Sequence, residues 1–271
     1  MTVRDTIEAC RAEGRPALVG YLPVGYPDVP TSFAAMTAMV EVGVDVVEVG
    51  LPYSDPLIDG PVIQRAAEGA LRAGARVDDV FTVCRAVADS GTPALVMTYW
   101  NPVLRRGVDA FARDLAASGA VGLITPDLIP DEAADWIAAS DAYGLDRVFL
   151  VAPSSTPERL VIASAACRGF VYAASLMGVT GTRETVGSAA ESLVARTREV
   201  TDLPVCVGLG VSNGDQAAAV GEFADGVIVG SVLVRSLVEA ATPDEGIARL
   251  REVVADLAAG VRRSREKVAI L

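Results

Sequence analysis

The chain has 271 residues, 51% of them hydrophobic and 21% charged, with a net charge of −12. That composition supplies one large buried core and argues against disorder, and the acidity excludes phosphate backbones and anionic membrane faces as partners. No run reaches the roughly 20 apolar residues a membrane helix needs, there is no histidine, and the one lysine is Lys267, so histidine triads, histidine-ligated metals and Schiff-base lysines are set aside.

In chain order, the N-terminus carries Asp5 and Glu8 where a secretion signal would need an apolar run, and Val3, Ile7 and Cys10 fit one face of a short helix. Short apolar runs at 17–22, 45–50, 94–98, 121–124, 147–151, 171–174, 205–208 and 226–229 then read as eight strands. Most lack polar alternation, as parallel strands covered on both faces do. Ala-rich amphipathic segments at 31–42, 78–90, 109–118, 131–142, 158–167, 189–200 and 215–220 read as helices between them, with Thr31, Asp131 and Asp215 as expected caps. A longer helix is predicted over 244–263. Cys10, Cys84, Cys167 and Cys206 are scattered without a CxxC pair, so reduced thiols in a cytoplasmic protein are expected, with no metal site.

Eight strand–helix alternations predict a single-domain (β/α)₈ TIM barrel over 1–271 with an extra N-terminal helix. No GxGxxG follows the first strand, which argues against an open doubly wound sheet. In a barrel the site lies where the strands end.

Glu48 stands inside an apolar strand, on the face opposite Val47 and Val49. Burial there would raise its pKa toward that of a general acid/base; a structural glutamate bonded to a nearby loop fits the local sequence as well. The following stretch carries Pro52, Pro56 and Pro61 with Asp55, Asp59 and Gly60, too long for a tight turn and too constrained for a linker. Asp59 is in reach of the barrel mouth, and it also fits a plain turn aspartate before glycine. Tyr99, Trp100 and Asn101 end the third strand and could line the same pocket, whereas Asp127 reads as a loop anchor. Tyr172 reads either as a ligand contact or as a barrel-filling ring. Glycines follow three successive strands, in Gly178-Val179-Thr180-Gly181, Gly208-Leu209-Gly210-Val211-Ser212 and Gly230-Ser231. Backbone amides at such loops, and at the start of a short helix after the last strand, can hold a phosphate without lysines.

The run 44–64, with Glu48-Val49-Gly50-Leu51-Pro52-Tyr53-Ser54-Asp55-Pro56-Leu57-Ile58-Asp59-Gly60-Pro61 at its centre, closely resembles the signature of the tryptophan synthase α-subunit family. Pro126-Asp127-Leu128, Tyr172 with 178–181, and the glycine segments 208–212 and 226–231 match that family in order over nearly the whole chain. The resemblance implies retro-aldol cleavage of indole-3-glycerol phosphate to indole and glyceraldehyde 3-phosphate. It implies no cofactor in this chain, and a β-subunit partner, in an α₂β₂ complex, that carries pyridoxal phosphate (PLP) and receives the indole. By family analogy Glu48 is the general acid/base and Asp59 the carboxylate on the indole N–H. Tyr172, Tyr99, Thr180 and Leu209 fall in the substrate site, and Gly181, Gly210, Gly230 and Ser231 in the phosphate cradle. Leu209 stands where the family often has an aromatic. The segments 53–61 and 175–188 are expected to act as lids that the partner closes. Three alternatives stay open: a stand-alone lyase releasing free indole, another phosphate-binding barrel enzyme, and a subunit that only gates a partner.

Overall fold

The structure is a computed structural model that describes residues 2–175, 183–208 and 210–264. Its strands are β1 (Ala17–Pro23), β2 (Val46–Gly50), β3 (Ala94–Met97), β4 (Gly122–Ile124), β5 (Asp146–Val148), β6 (Leu150–Val151), β7 (Val171–Ala174), β8 (Val205–Gly208) and β9 (Gly226–Val229). All pairings are parallel, in the order β5-β4-β3-β2-β1-β9-β8-β7-β6. Only Phe149 separates β5 from β6. The two ends of the ladder therefore belong to one stave, and the sheet closes as the (β/α)₈ barrel expected. The predicted strand 147–151 is this broken stave.

The alternation of side chains along each strand sorts the core into two layers. Residues such as Val47, Val49, Val96, Leu123 and Val207 point outward and pack with the helices. Ala17, Val19, Val46, Leu95, Ile124, Val148, Phe170, Cys206 and Ile228 point inward and fill the barrel. The extra helix Val3–Ala12 stoppers one end, its Val3, Ile7 and Cys10 joining that inner cluster. Thr2 starts it with a capping box, accepting from the Asp5 N–H while Asp5 accepts from the Thr2 N–H. With the bottom sealed by apolar side chains, the opening is left at the C-terminal ends of the strands.

The bottom is also pinned by charge. Asp45, just before β2, takes two hydrogen bonds from the Arg15 guanidinium at 2.7 and 2.9 Å and a third from the Leu18 N–H at 2.8 Å. This ties the second stave to the first across their starting ends.

Several local expectations are corrected. The caps are Asp28, for the helix Val29–Val42, and Asn213, for Gly214–Gly221, rather than Thr31 and Asp215. Asp131 lies in a 3₁₀ turn, Pro130–Glu132, and the helix proper is Ala134–Tyr143. Two helices were not foreseen, Pro61–Arg72 and Trp100–Arg106. Pro61 opens its helix, where the missing N–H costs nothing, so a residue read as part of the loop is a helix start. Among the described residues no helix is long and apolar enough to cross a membrane.

Candidate active site

Glu48 projects into the barrel from β2, in register with Tyr21 of β1 and Leu95 of β3. It is 1% exposed, and its Oε1 has no hydrogen-bond partner. Loss of water around the carboxylate pushes its pKa up to about 8, and no neighbouring cation opposes the shift. Among the described residues no loop group bonds to that oxygen, whereas the reading of a structural glutamate would require one. Burial thus favours the neutral form of this carboxyl near pH 7.

Two tyrosines flank it. Tyr172 of β7 points inward with Phe170 and Cys206, and the charge of Glu48 acts on its hydroxyl. A Cβ on Gly208 of the neighbouring β8 would fall 2.4 Å from that hydroxyl, so the ring is seated directly on a glycine backbone. Tyr21 is seated in the same way over Gly50, where a Cβ would lie 2.5 Å from its hydroxyl, and the base of its ring lies beside Gly230. Only glycine leaves room for either ring. Tyr21 escaped the sequence reading, although it has the parity of Ala17 and Val19 and is the polar-tipped residue of an apolar strand.

Asp59 enters from the long segment after β2. Burial raises its pKa, and a hydrogen bond from the Tyr99 hydroxyl opposes the rise. Tyr99 organises this loop: its hydroxyl also accepts the N–H groups of Leu57 at 3.0 Å and Ile58 at 3.1 Å, and its ring stacks on Tyr53 with centroids 5.0 Å apart. Tyr99 therefore lies past the end of β3, as the N-cap of the Trp100–Arg106 helix, and reaches the site through the Asp59 loop. The Gln64 side chain further fixes this segment by donating to the Asp59 carbonyl at 2.8 Å. Asp127 accepts the Trp100 N–H with both oxygens, at 2.9 and 3.1 Å, and so anchors the next loop. Burial and the charges of Asp59, Glu48 and Tyr99 all act on the Tyr21 hydroxyl and raise its pKa.

The opposite rim of the opening is built of backbone. Gly230 is the N-cap of the helix Ser231–Val238 and supplies no side-chain cap, so the first N–H groups of that helix, Ser231 included, have no capping oxygen from it. A helix start with free amides and a positive dipole end suits an anion. Gly210 holds φ +73°, a conformation that favours glycine, in the adjoining loop after β8. Thr180, Gly181 and Leu209 lie outside the described residues, as do Gly178, Val179 and Lys267. Among the described residues no group of three histidine, cysteine, aspartate or glutamate side chains could hold a metal ion.

Comparison with known proteins gives a consistent picture. A family model described as tryptophan synthase alpha chain matches residues 7–262. The tryptophan synthase alpha chain of Mycobacterium marinum is 63% identical over 256 residues, covering 94% of this chain and 93% of the relative. That of Mycobacteroides abscessus is 62% identical over 260 residues, covering 96% and 97%. Among solved structures, ligand-free tryptophan synthase from M. tuberculosis superposes with a TM-score of 0.89 at 58% identity, covering 96% of this chain and 98% of that one. The alpha chain from Legionella pneumophila, at only 30% identity, still gives 0.87, covering 96% and 97%.

Proposed function

The chain belongs to the tryptophan synthase alpha chain family, and we propose that Glu48 and Asp59 carry its chemistry. It is a lyase of tryptophan biosynthesis that catalyses the α reaction, the retro-aldol cleavage of indole-3-glycerol phosphate to indole and glyceraldehyde 3-phosphate. Its partner is a β subunit, to which the PLP belongs and to which the indole passes. We take the chain to work as one barrel domain, without a cofactor of its own, in an α₂β₂ assembly.

The neutral Glu48 carboxyl protonates C3 of the indole. The positive charge that this creates on the ring is stabilised by Asp59 at the ring N–H. The carboxylate left on Glu48 then removes the proton from the side-chain hydroxyl next to C3. As that O–H bond breaks, a C=O bond forms, the C–C bond to the ring breaks, and its electrons neutralise the ring cation. Glu48 ends as it began, neutral, with indole and an aldehyde released. The free amides from Ser231 onward, with Gly230 and Gly210, hold the phosphate, and Thr180 and Gly181 are proposed to complete that cradle. Tyr172 and Leu209 are proposed to bound the indole. Tyr99 acts indirectly, by setting the loop that carries Asp59.

The observation that carries this reading is the buried, unpartnered Glu48 at the open end of the barrel. Positioned acid–base groups contribute about 10² to 10⁴ in rate. Turnover of indole-3-glycerol phosphate by Glu48→Gln is therefore expected to fall at least a hundredfold with substrate binding retained, and a loss under tenfold would overturn the assignment. A stand-alone lyase is distinguished by the same assay run with and without a cognate β subunit. The subunit reading expects the partner to raise kcat more than it lowers KM, whereas full activity of the chain alone would favour the stand-alone enzyme.

A further inference from the structure

One polar group at the barrel mouth has no part in the steps above, the hydroxyl of Tyr21. Its position is tightly set. The base of the ring lies beside Gly230, at the phosphate end, with a hypothetical Gly230 Cβ 3.4 Å from its Cδ1. The tip lies over Gly50, at the carboxylate end, where a Cβ would sit 2.5 Å from the hydroxyl. The side chain thus spans the floor of the opening from the phosphate cradle to the acid–base pair. Its hydroxyl stands under the influence of Asp59, Glu48 and Tyr99, with no hydrogen bond to any of them.

Packing alone needs only the ring, which phenylalanine would supply. The hydroxyl adds a proton donor in a place that water leaves. Two carboxylates compete for it. Asp59 already has a donor in the Tyr99 hydroxyl, whereas Glu48 has an oxygen with none. Tyr21 and Glu48 are also cross-strand partners that project to the same side of adjacent staves. When Glu48 gives up its proton, the carboxylate is buried on the inward face beside Leu95, its cross-strand partner on β3, and has to be steadied by a donor while it takes up the second proton. We propose that Tyr21 is a positioning residue for Glu48, its hydroxyl donating to the ionised carboxylate and fixing the orientation from which it deprotonates the substrate. This rests on the reading of Glu48 as the acid/base.

The test is Tyr21→Phe, which keeps the ring on Gly50 and removes one oxygen, assayed in complex with a cognate β subunit. A donor to the charged form lowers a carboxyl pKa, so its loss raises it. The limb of the kcat/KM pH profile due to Glu48 is expected to move up by about half a pH unit or more, the equivalent of one ordinary hydrogen bond. kcat is expected to drop roughly tenfold, less than the ~10² or more that the acid–base group itself contributes, because the carboxyl stays in place, with KM within about twofold. An unmoved pH profile, a kcat within twofold of the parent, or a rise in KM with kcat unchanged would each overturn the proposal, the last by making Tyr21 a substrate contact. Glu48→Gln, run alongside, separates the two levels. An active Glu48→Gln removes the acid–base reading itself. An inactive one beside a Tyr21→Phe enzyme that behaves as the parent removes only the role of Tyr21.

Discussion

Replacing Glu48 by glutamine has a consequence for folding as well as for turnover, and its size follows from the site. In the folded chain the carboxyl titrates near 8 rather than near 4.5, because burial removes its water and no cation replaces it. Below pH 4.5 it is neutral in both the folded and the unfolded chain and has no effect on the balance. Between 4.5 and 8 the unfolded chain has lost this proton and the folded chain has kept it, so folding must pull a proton back on and stability declines as pH rises. Above 8 both are ionised and the loss levels off. At about 1.4 kcal/mol per unit, the cost is roughly 3 kcal/mol at pH 7 and about 5 kcal/mol at the plateau. A protein of ordinary stability has only about 5–15 kcal/mol in hand. Glutamine does not titrate, so Glu48→Gln is expected to become progressively more stable than the parent over this window. Urea unfolding of both proteins at half-unit steps from pH 4.5 to 8.5 measures the gap, and groups common to the two cancel. A gap that widens by about 3 kcal/mol between pH 4.5 and 7 and stops widening near 8 supports the reasoning. A constant gap would show that Glu48 titrates like an exposed glutamate, and one that favours the parent as pH rises would show a lowered rather than a raised pKa; either would refute the reasoning.

Two further substitutions probe the rest of the barrel. Gly230→Asp places a carboxylate at the proposed phosphate cradle, with ordinary clearance from Tyr21, and indole binding reports any change in the backbone, which sits at φ −129° and ψ −71°. Binding of glycerol phosphate is expected to weaken at least about tenfold, as like charges brought together cost several kcal/mol, while indole binding is kept; equal weakening of both in calorimetry would move the phosphate site elsewhere. Asp45→Asn strips the charge from a pair that is 15% exposed on each side and also ties Leu18. Unfolding free energy is expected to fall by about 2 kcal/mol, the scale of charge-assisted hydrogen bonds, because Arg15 keeps its contact with Glu13, with KM unchanged because Asp45 lies at the sealed end; an altered KM with intact stability would contradict that division of labour.

The periodicity of the chain determined much of this. Continuous apolar runs of four to six residues, alternating with Ala-rich helical segments, point to a parallel α/β fold, the missing GxGxxG favours the barrel over an open sheet, and three strands, β7, β8 and β9, begin and end where the sequence places them. Glu48 was legible because a lone carboxylate breaks an apolar run, and Asp59 because its loop is long and rich in proline. Boundaries failed where local signals compete. Pro61 looks like a loop residue and opens a helix, and Asp28 caps a helix in preference to Thr31 because capping depends on which oxygen meets the free N–H groups. Tyr21 could not be singled out from the sequence, since a tyrosine on an inward face has the same local signature wherever it sits, and Tyr99, though expected in the pocket, gave no sign that it sets the Asp59 loop. Only closure of the sheet brings β1 against β2 and β9 and lays the Tyr21 ring between Gly50 and Gly230. Only the tertiary fold turns the Tyr99 hydroxyl onto amides more than 40 residues away in the chain. Only burial by neighbours distant in sequence raises Glu48 to about 8. The sequence could name the carboxylate, but the loss of water that makes it an acid near neutrality comes from the packing of the whole barrel around it.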